Sequence, residues 1–125
     1  MATSNPLYYY NNVLSTFLHN FGNAAGSTVT FSGLKPDQLY EFQIIAHDTS
    51  TNNAHKHHVG SKSQWTVTGK TTQQKTLTQS NKGNSVVSLQ QLDSWNNILV
   101  TAPENGQVSI KFTNGRLTAI LFRQR

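Results

Sequence analysis

Cysteine is absent from this chain of 125 residues, and acidic residues and long apolar runs are scarce. Without cysteine, no disulfide can staple the fold and no thiolate can act as nucleophile or metal ligand. The chain is long enough to bury a core without either. Charged residues make up only 12% of it, roughly half the usual share of about 25%. No run of apolar residues approaches the ~20 needed for a helical membrane span. No signal-peptide pattern stands at the start, since Lys35 is the first basic residue.

The shortage of acids also narrows the chemistry. Paired-carboxylate catalysis could draw only on Asp37, Glu41, Asp48, Asp93 and Glu104. Asp37 and Glu104 fall in turn sequences and Glu41 on the polar side of a strand. Nothing in the spacing brings Asp48 to Asp93. No Gly-x-Ser-x-Gly elbow is present. Gly69-Lys70-Thr71 imitates the end of a phosphate loop, but Gln64 stands where the first glycine belongs and no helical pattern follows. Neither an enzyme nor a cofactor is expected.

What replaces the missing charge is Ser, Thr, Asn, Gln and Gly, a polar, uncharged composition that suits extracellular and virion surfaces. Lys and Arg number 10 against 5 Asp and Glu, for a net charge of +5. The lysines stand singly, and only Arg116, Arg123 and Arg125 gather near one end. This is a solvated surface short of acids rather than a nucleic-acid stripe, and nucleic acid is not expected as a partner.

Hydrophobic periodicity divides the chain in two. Between Leu7 and Phe21, Val13, Leu14, Phe17, Leu18 and Phe21 recur at three- and four-residue steps, which predicts a short helix or arm over residues 1–26. From Ser27 the period becomes two. Val29 and Phe31 mark one strand, Tyr40, Phe42, Ile44 and Ala46 the clearest one, and Trp65 and Val67 the next. Shorter strands are predicted at Thr76–Thr78, Val86–Leu89 and Ile98–Thr101. Val108, Ile110 and Phe112 alternate up to Asn114-Gly115, a hairpin dipeptide. Leu117 to Phe122 is apolar on both faces, which predicts a central final strand. About eight strands at this spacing predict an all-β fold, a two-sheet antiparallel sandwich of jelly-roll kind over residues 27–125.

Gly33-Leu34-Lys35-Pro36-Asp37 followed by Tyr40-Glu41-Phe42 resembles the corner of fibronectin type III sandwiches. Trp65 to Gly69, Val100 to Ile110 and Leu117 to Ile120 resemble the galactose-binding-like jelly rolls found in carbohydrate-associated and phage surface proteins. Together the two resemblances cover most of residues 28–122, and they describe strands and turns. They imply a sandwich module. Thr118 stands where many such modules carry Asn, so no sugar-binding residue is carried over from them.

Three groups of residues are functional candidates. Trp95, with Asn96, Asn97 and Gln91 nearby, could stack on a sugar ring and bond its hydroxyls. Tyr8, Tyr9, Tyr10, Phe17 and Phe21 could dock on neighbouring subunits. His55 and His57, with Asp48, are the residues that would ligate a metal, but their spacing matches no finger or catalytic signature, and no metal is expected. The expected function is a non-catalytic structural or adhesive sandwich of a larger particle, such as a phage virion decoration, tail or surface component. Its expected partners are other protein subunits, and its location the virion or extracellular surface. The alternative is a carbohydrate-binding module whose partner is a glycan.

Overall fold

Val, Ile, Thr and aromatic residues at alternate positions turn most of the described residues after Gly26 into strands. The computed structural model describes residues 18–19, 25–46, 62–78 and 93–125. Its strands are β1 (Leu18–His19), β2 (Ser27–Phe31), β3 (Leu39–Ile45), β4 (Lys62–Thr68), β5 (Thr72–Thr78), β6 (Ser94–Thr101), β7 (Val108–Thr113), β8 (Arg116–Leu117) and β9 (Ala119–Gln124). One antiparallel sheet has the order β2-β7-β4-β5 and a second the order β6-β3-β9, while β1 pairs with β8. The described residues are all-β, as the periodicity predicts, and contain no helix long and apolar enough to cross a membrane.

The two sheets face each other because each strand sends alternate side chains inward. Tyr40, Phe42 and Ile44 of β3 and Ile98 and Val100 of β6 meet Trp65 and Val67 of β4, Leu77 of β5, and Val108, Ile110 and Phe112 of β7 in one buried cluster. Each fully buried side chain of this size contributes about 1.5–3 kcal/mol. Trp65 lies opposite Phe112 in the ladder, their rings stacked with centroids 4.4 Å apart. The Trp65 indole N–H donates to Ser63 Oγ at 2.8 Å, so the polar edge of the indole is satisfied inside the core.

One open side of the sandwich, between β2 and β9, is filled by aromatics. Phe122 stacks on Phe42 at 5.5 Å and meets Phe31 edge-on at 5.0 Å. On the opposite side Gln73 of β5 donates through Nε2 to the Leu99 carbonyl of β6 at 2.8 Å.

The turn from Gly33 to Tyr40 is held by two cross-links. The Lys35 amide donates to the Tyr40 hydroxyl at 2.9 Å, and the Leu34 amide to the Gly106 carbonyl at 3.0 Å. The β2–β3 turn is thereby fixed to the β6–β7 turn. Gly106 has φ 68°, and a Cβ there would come within 2.5 Å of the Leu34 carbonyl oxygen, so the position takes only glycine.

Several expectations are corrected. Leu18 and His19, placed in a helix by their spacing, form β1, because the backbone of Arg116–Leu117 pairs with them. The rest of the expected helix lies outside the described residues, as does the Val86–Leu89 strand. Asn114-Gly115 does not close a hairpin: β8 pairs with β1, and β9 with β3 in the other sheet. Asn114 does take a positive φ of 54°, but the turn serves a crossing between layers. The last strand is not central: β9 lies at the end of its sheet and β3 in the middle.

Candidate functional site

A concavity lies on the outward face of the three-stranded sheet. The strand alternation that sends Tyr40, Phe42 and Ile44 inward sends Glu41 and Gln43 outward. On β9 the outward positions paired with them are Arg123 and Leu121. On β6 the pairing slips: Phe42 opposes Ile98 but Ile44 opposes Trp95, so Asn96 and Asn97 together face Gln43. This is a β-bulge, and Asn97 carries it at φ 58°, a left-handed conformation that Asn tolerates better than most residues. The bulge turns two amide side chains toward the same surface.

These residues line a groove of about 500 Å³, with Leu121 supplying apolar wall. That volume falls within the range of about 300–1,000 Å³ typical of small-ligand sites. Leu121 thus accounts for the second apolar side of β9. It lines a groove instead of packing under another strand.

The electrostatics are local and specific. Arg123 donates through Nε and Nη2 to Glu41 Oε1 at 3.2 and 3.0 Å, and Arg125 donates through Nη1 to the same oxygen at 2.9 Å. The hydrogen bonds from Arg123, with the charges of both guanidiniums, hold the Glu41 carboxyl below its ordinary pKa against the opposing effect of desolvation. Gln43 donates through Nε2 to Asn96 Oδ1 at 2.9 Å, which orients both amides. Glu41 Oε2, Gln43 Oε1, Asn96 Nδ2, Arg123 Nη1 and the Asn97 side chain engage no partner among the described residues. The groove therefore presents donors and acceptors side by side. That arrangement suits hydroxyl groups, each of which both donates and accepts.

The residues singled out from the sequence are distributed unevenly. Asn96 and Asn97 line the groove. Trp95, the expected stacking platform, is half-buried and packs against the core beside them. Gln91, the aromatic set Tyr8, Tyr9, Tyr10, Phe17 and Phe21, and the residues His55, His57 and Asp48 lie outside the described residues. The arginines near the end of the chain separate: Arg116 is 2% exposed in β8, while Arg123 and Arg125 sit at the surface.

Glu41, Gln43, Leu121 and Arg123 were not legible as site residues. A signal did exist for the bulge, because two consecutive asparagines interrupt the β-prone run from Trp95 to Val100. Comparison with protein-family models, curated proteins and solved structures finds no match.

Proposed function

We propose that this chain is a non-catalytic adhesive β-sandwich, a surface component of a larger particle of the virion-decoration, tail or surface-fibre kind, and that it engages glycan through the outer groove of its three-stranded sheet. The observation that carries the reading is the convergence of unspent donors and acceptors of Gln43, Asn96, Asn97 and Arg123 on one groove with an apolar wall. A sugar ring offers the complement, hydroxyls at its rim and a C–H face for Leu121. The frame is rigid, since β3 is paired on both sides and the bulge is pinned by the Gln43–Asn96 bond. Catalysis has no comparable support. The one acid of the groove, Glu41, is spent on Arg123 and Arg125.

The test is retention on a panel of immobilised polysaccharides, comparing the wild-type protein with a Gln43→Ala/Asn96→Ala double variant. Retention of the wild type on at least one polysaccharide, lost in the variant at an unchanged melting temperature, supports the reading. No retention on any polysaccharide, or retention indifferent to the variant, counts against it.

A second reading, docking on protein subunits, is favoured by Leu39 and Leu99, which are exposed on the same outer face of adjoining strands. Charged replacements at both positions would then abolish assembly with a partner subunit without changing glycan retention.

A further inference from the structure

We infer that the glycan taken by this groove is anionic and that the side chains of Arg123 and Arg125 receive its charged group. The inference rests on the glycan reading above and adds the ligand's charge to it.

The argument begins with a mismatch at one end of the groove. Two guanidiniums share a single carboxylate, and they share one oxygen of it: Glu41 Oε1 accepts from Arg123 Nε, Arg123 Nη2 and Arg125 Nη1. A guanidinium carries five N–H donors in a planar fork. Arg123 Nη1 and the Nε and Nη2 of Arg125 are left without an acceptor among the described residues. Glu41 is the less accessible partner, its side chain 17% exposed against 68% for Arg123. Solvent and ligand therefore meet the cations first. Glu41 acts as the buttress that holds the arginines against the sheet.

Among the described residues, no second acid lines the groove. Of the other described acids, Asp37 is paired with Lys70 in the corner turn, Asp93 precedes β6, and Glu104 lies in the β6–β7 turn. Among the described residues, no acidic side chain other than Glu41 pairs with either arginine. A neutral sugar would satisfy Gln43, Asn96 and Asn97 and leave the excess positive charge of the arginines unused. A sugar acid spans both ends, with hydroxyls on the amides and the anion on the fork. The planar fork matches the two oxygens of a carboxylate, so a uronate is the expected form of the charge, and a sulfate ester is the other source of the same chemistry.

Calorimetric titration of the intact chain tests this with three probes of equal length: an oligogalacturonate, a neutral galactan oligosaccharide and a sulfated oligosaccharide. The expected result is uronate binding about fivefold tighter than the neutral probe, weakening as salt is raised. A sulfated probe that also exceeds the neutral one in a salt-dependent way supports the inference and widens the anion. Equal or tighter binding of the neutral probe overturns the inference while leaving the glycan reading intact. Binding of none of the three overturns the glycan reading itself.

The Glu41→Gln variant supplies a sign that a neutral-sugar site would not share. Removing the buttress charge frees both guanidiniums, so affinity for the uronate rises severalfold. A fall in uronate affinity would mean that Glu41 serves as a hydroxyl acceptor, and it would overturn the assignment. Arg123→Gln lowers the ratio of uronate to neutral affinity toward one, and an unchanged ratio also overturns it. Should either variant fail to fold, the wild-type comparison of probes and its salt dependence decide the matter alone.

Discussion

Gln43 donates through Nε2 to Asn96 Oδ1 at 2.9 Å, joining the middle strand of the three-stranded sheet to the bulge of its neighbour. That bond sets the direction of two amides before any ligand arrives, so binding need not order them. Ordering a free side chain costs about 0.5–1.5 kcal/mol, and here that cost is met on folding. The groove follows from ladder register. One extra residue in β6 brings Asn96 and Asn97 to the position opposite Gln43.

The bulge depends on the left-handed backbone of Asn97. Asn97→Val places a β-branched residue at φ 58° and is expected to lower stability by about 1–3 kcal/mol. Asn97→Gly, free of that strain, should stay close to the wild type. Urea denaturation of the two variants checks the pair, and equal stability would show that the bulge does not require this conformation.

The corner depends on a single hydroxyl. Tyr40→Phe keeps the ring in the core and removes the acceptor of the Lys35 amide, at an expected cost of about 0.5–1.5 kcal/mol. Denaturant midpoints measured with an unchanged slope would report it. A wild-type midpoint would mean that water replaces the hydroxyl without loss.

How far the sequence discloses this fold depends on which interactions decide each element. Local alternation placed β2, β3, β4 and β7, because burying one face of a strand is written in its own residues. The alternation of Trp65 with Val67 places both on one face of their strand, and both are fully buried. Pairing partners were not legible. Asn114-Gly115 reads as a hairpin locally, yet its two flanks join different ladders, a choice made by residues as remote as Leu18 and Ile45. Leu121 reads as core in sequence because a groove wall and a core contact call for the same side chain. Within the site, the amides Asn96 and Asn97 were found by their chemistry. Glu41, Gln43 and Arg123 were missed because only the β3–β6 and β3–β9 registers bring them together.

The core should respond most strongly at the stacked pair. Trp65→Ala removes the ring that faces Phe112 and is expected to cost about 3–5 kcal/mol. Ser63→Ala strips the indole N–H of its acceptor and should cost about 1–3 kcal/mol with the ring retained. Thermal melts of both would test the order. Ser63→Ala as damaging as Trp65→Ala would contradict the stacking account.

The acid limb of stability should carry the mark of Glu41. Its carboxyl titrates lower in the folded chain than in the unfolded one, because Arg123 bonds the charged form. Such a group stabilises the fold above the unfolded value of about 4.3 and loses that contribution as pH falls through the lower folded value. Glu41→Gln should therefore show a shallower loss of stability on acidification over that window. An acid limb identical to the wild type would mean that the arginine contacts do not persist in solution.

The central claim is that the outer groove of the three-stranded sheet is where this protein binds, and amide chemical-shift mapping tests it most directly. Titrating the isotopically labelled chain with the polysaccharide fragment that retains it best should move the resonances of Glu41, Gln43, Asn96, Asn97, Leu121 and Arg123. The Thr28, Thr66 and Thr76 resonances, on the outer face of the opposite sheet, should stay still. Shifts confined to the opposite sheet, or spread evenly over the surface, would contradict the account.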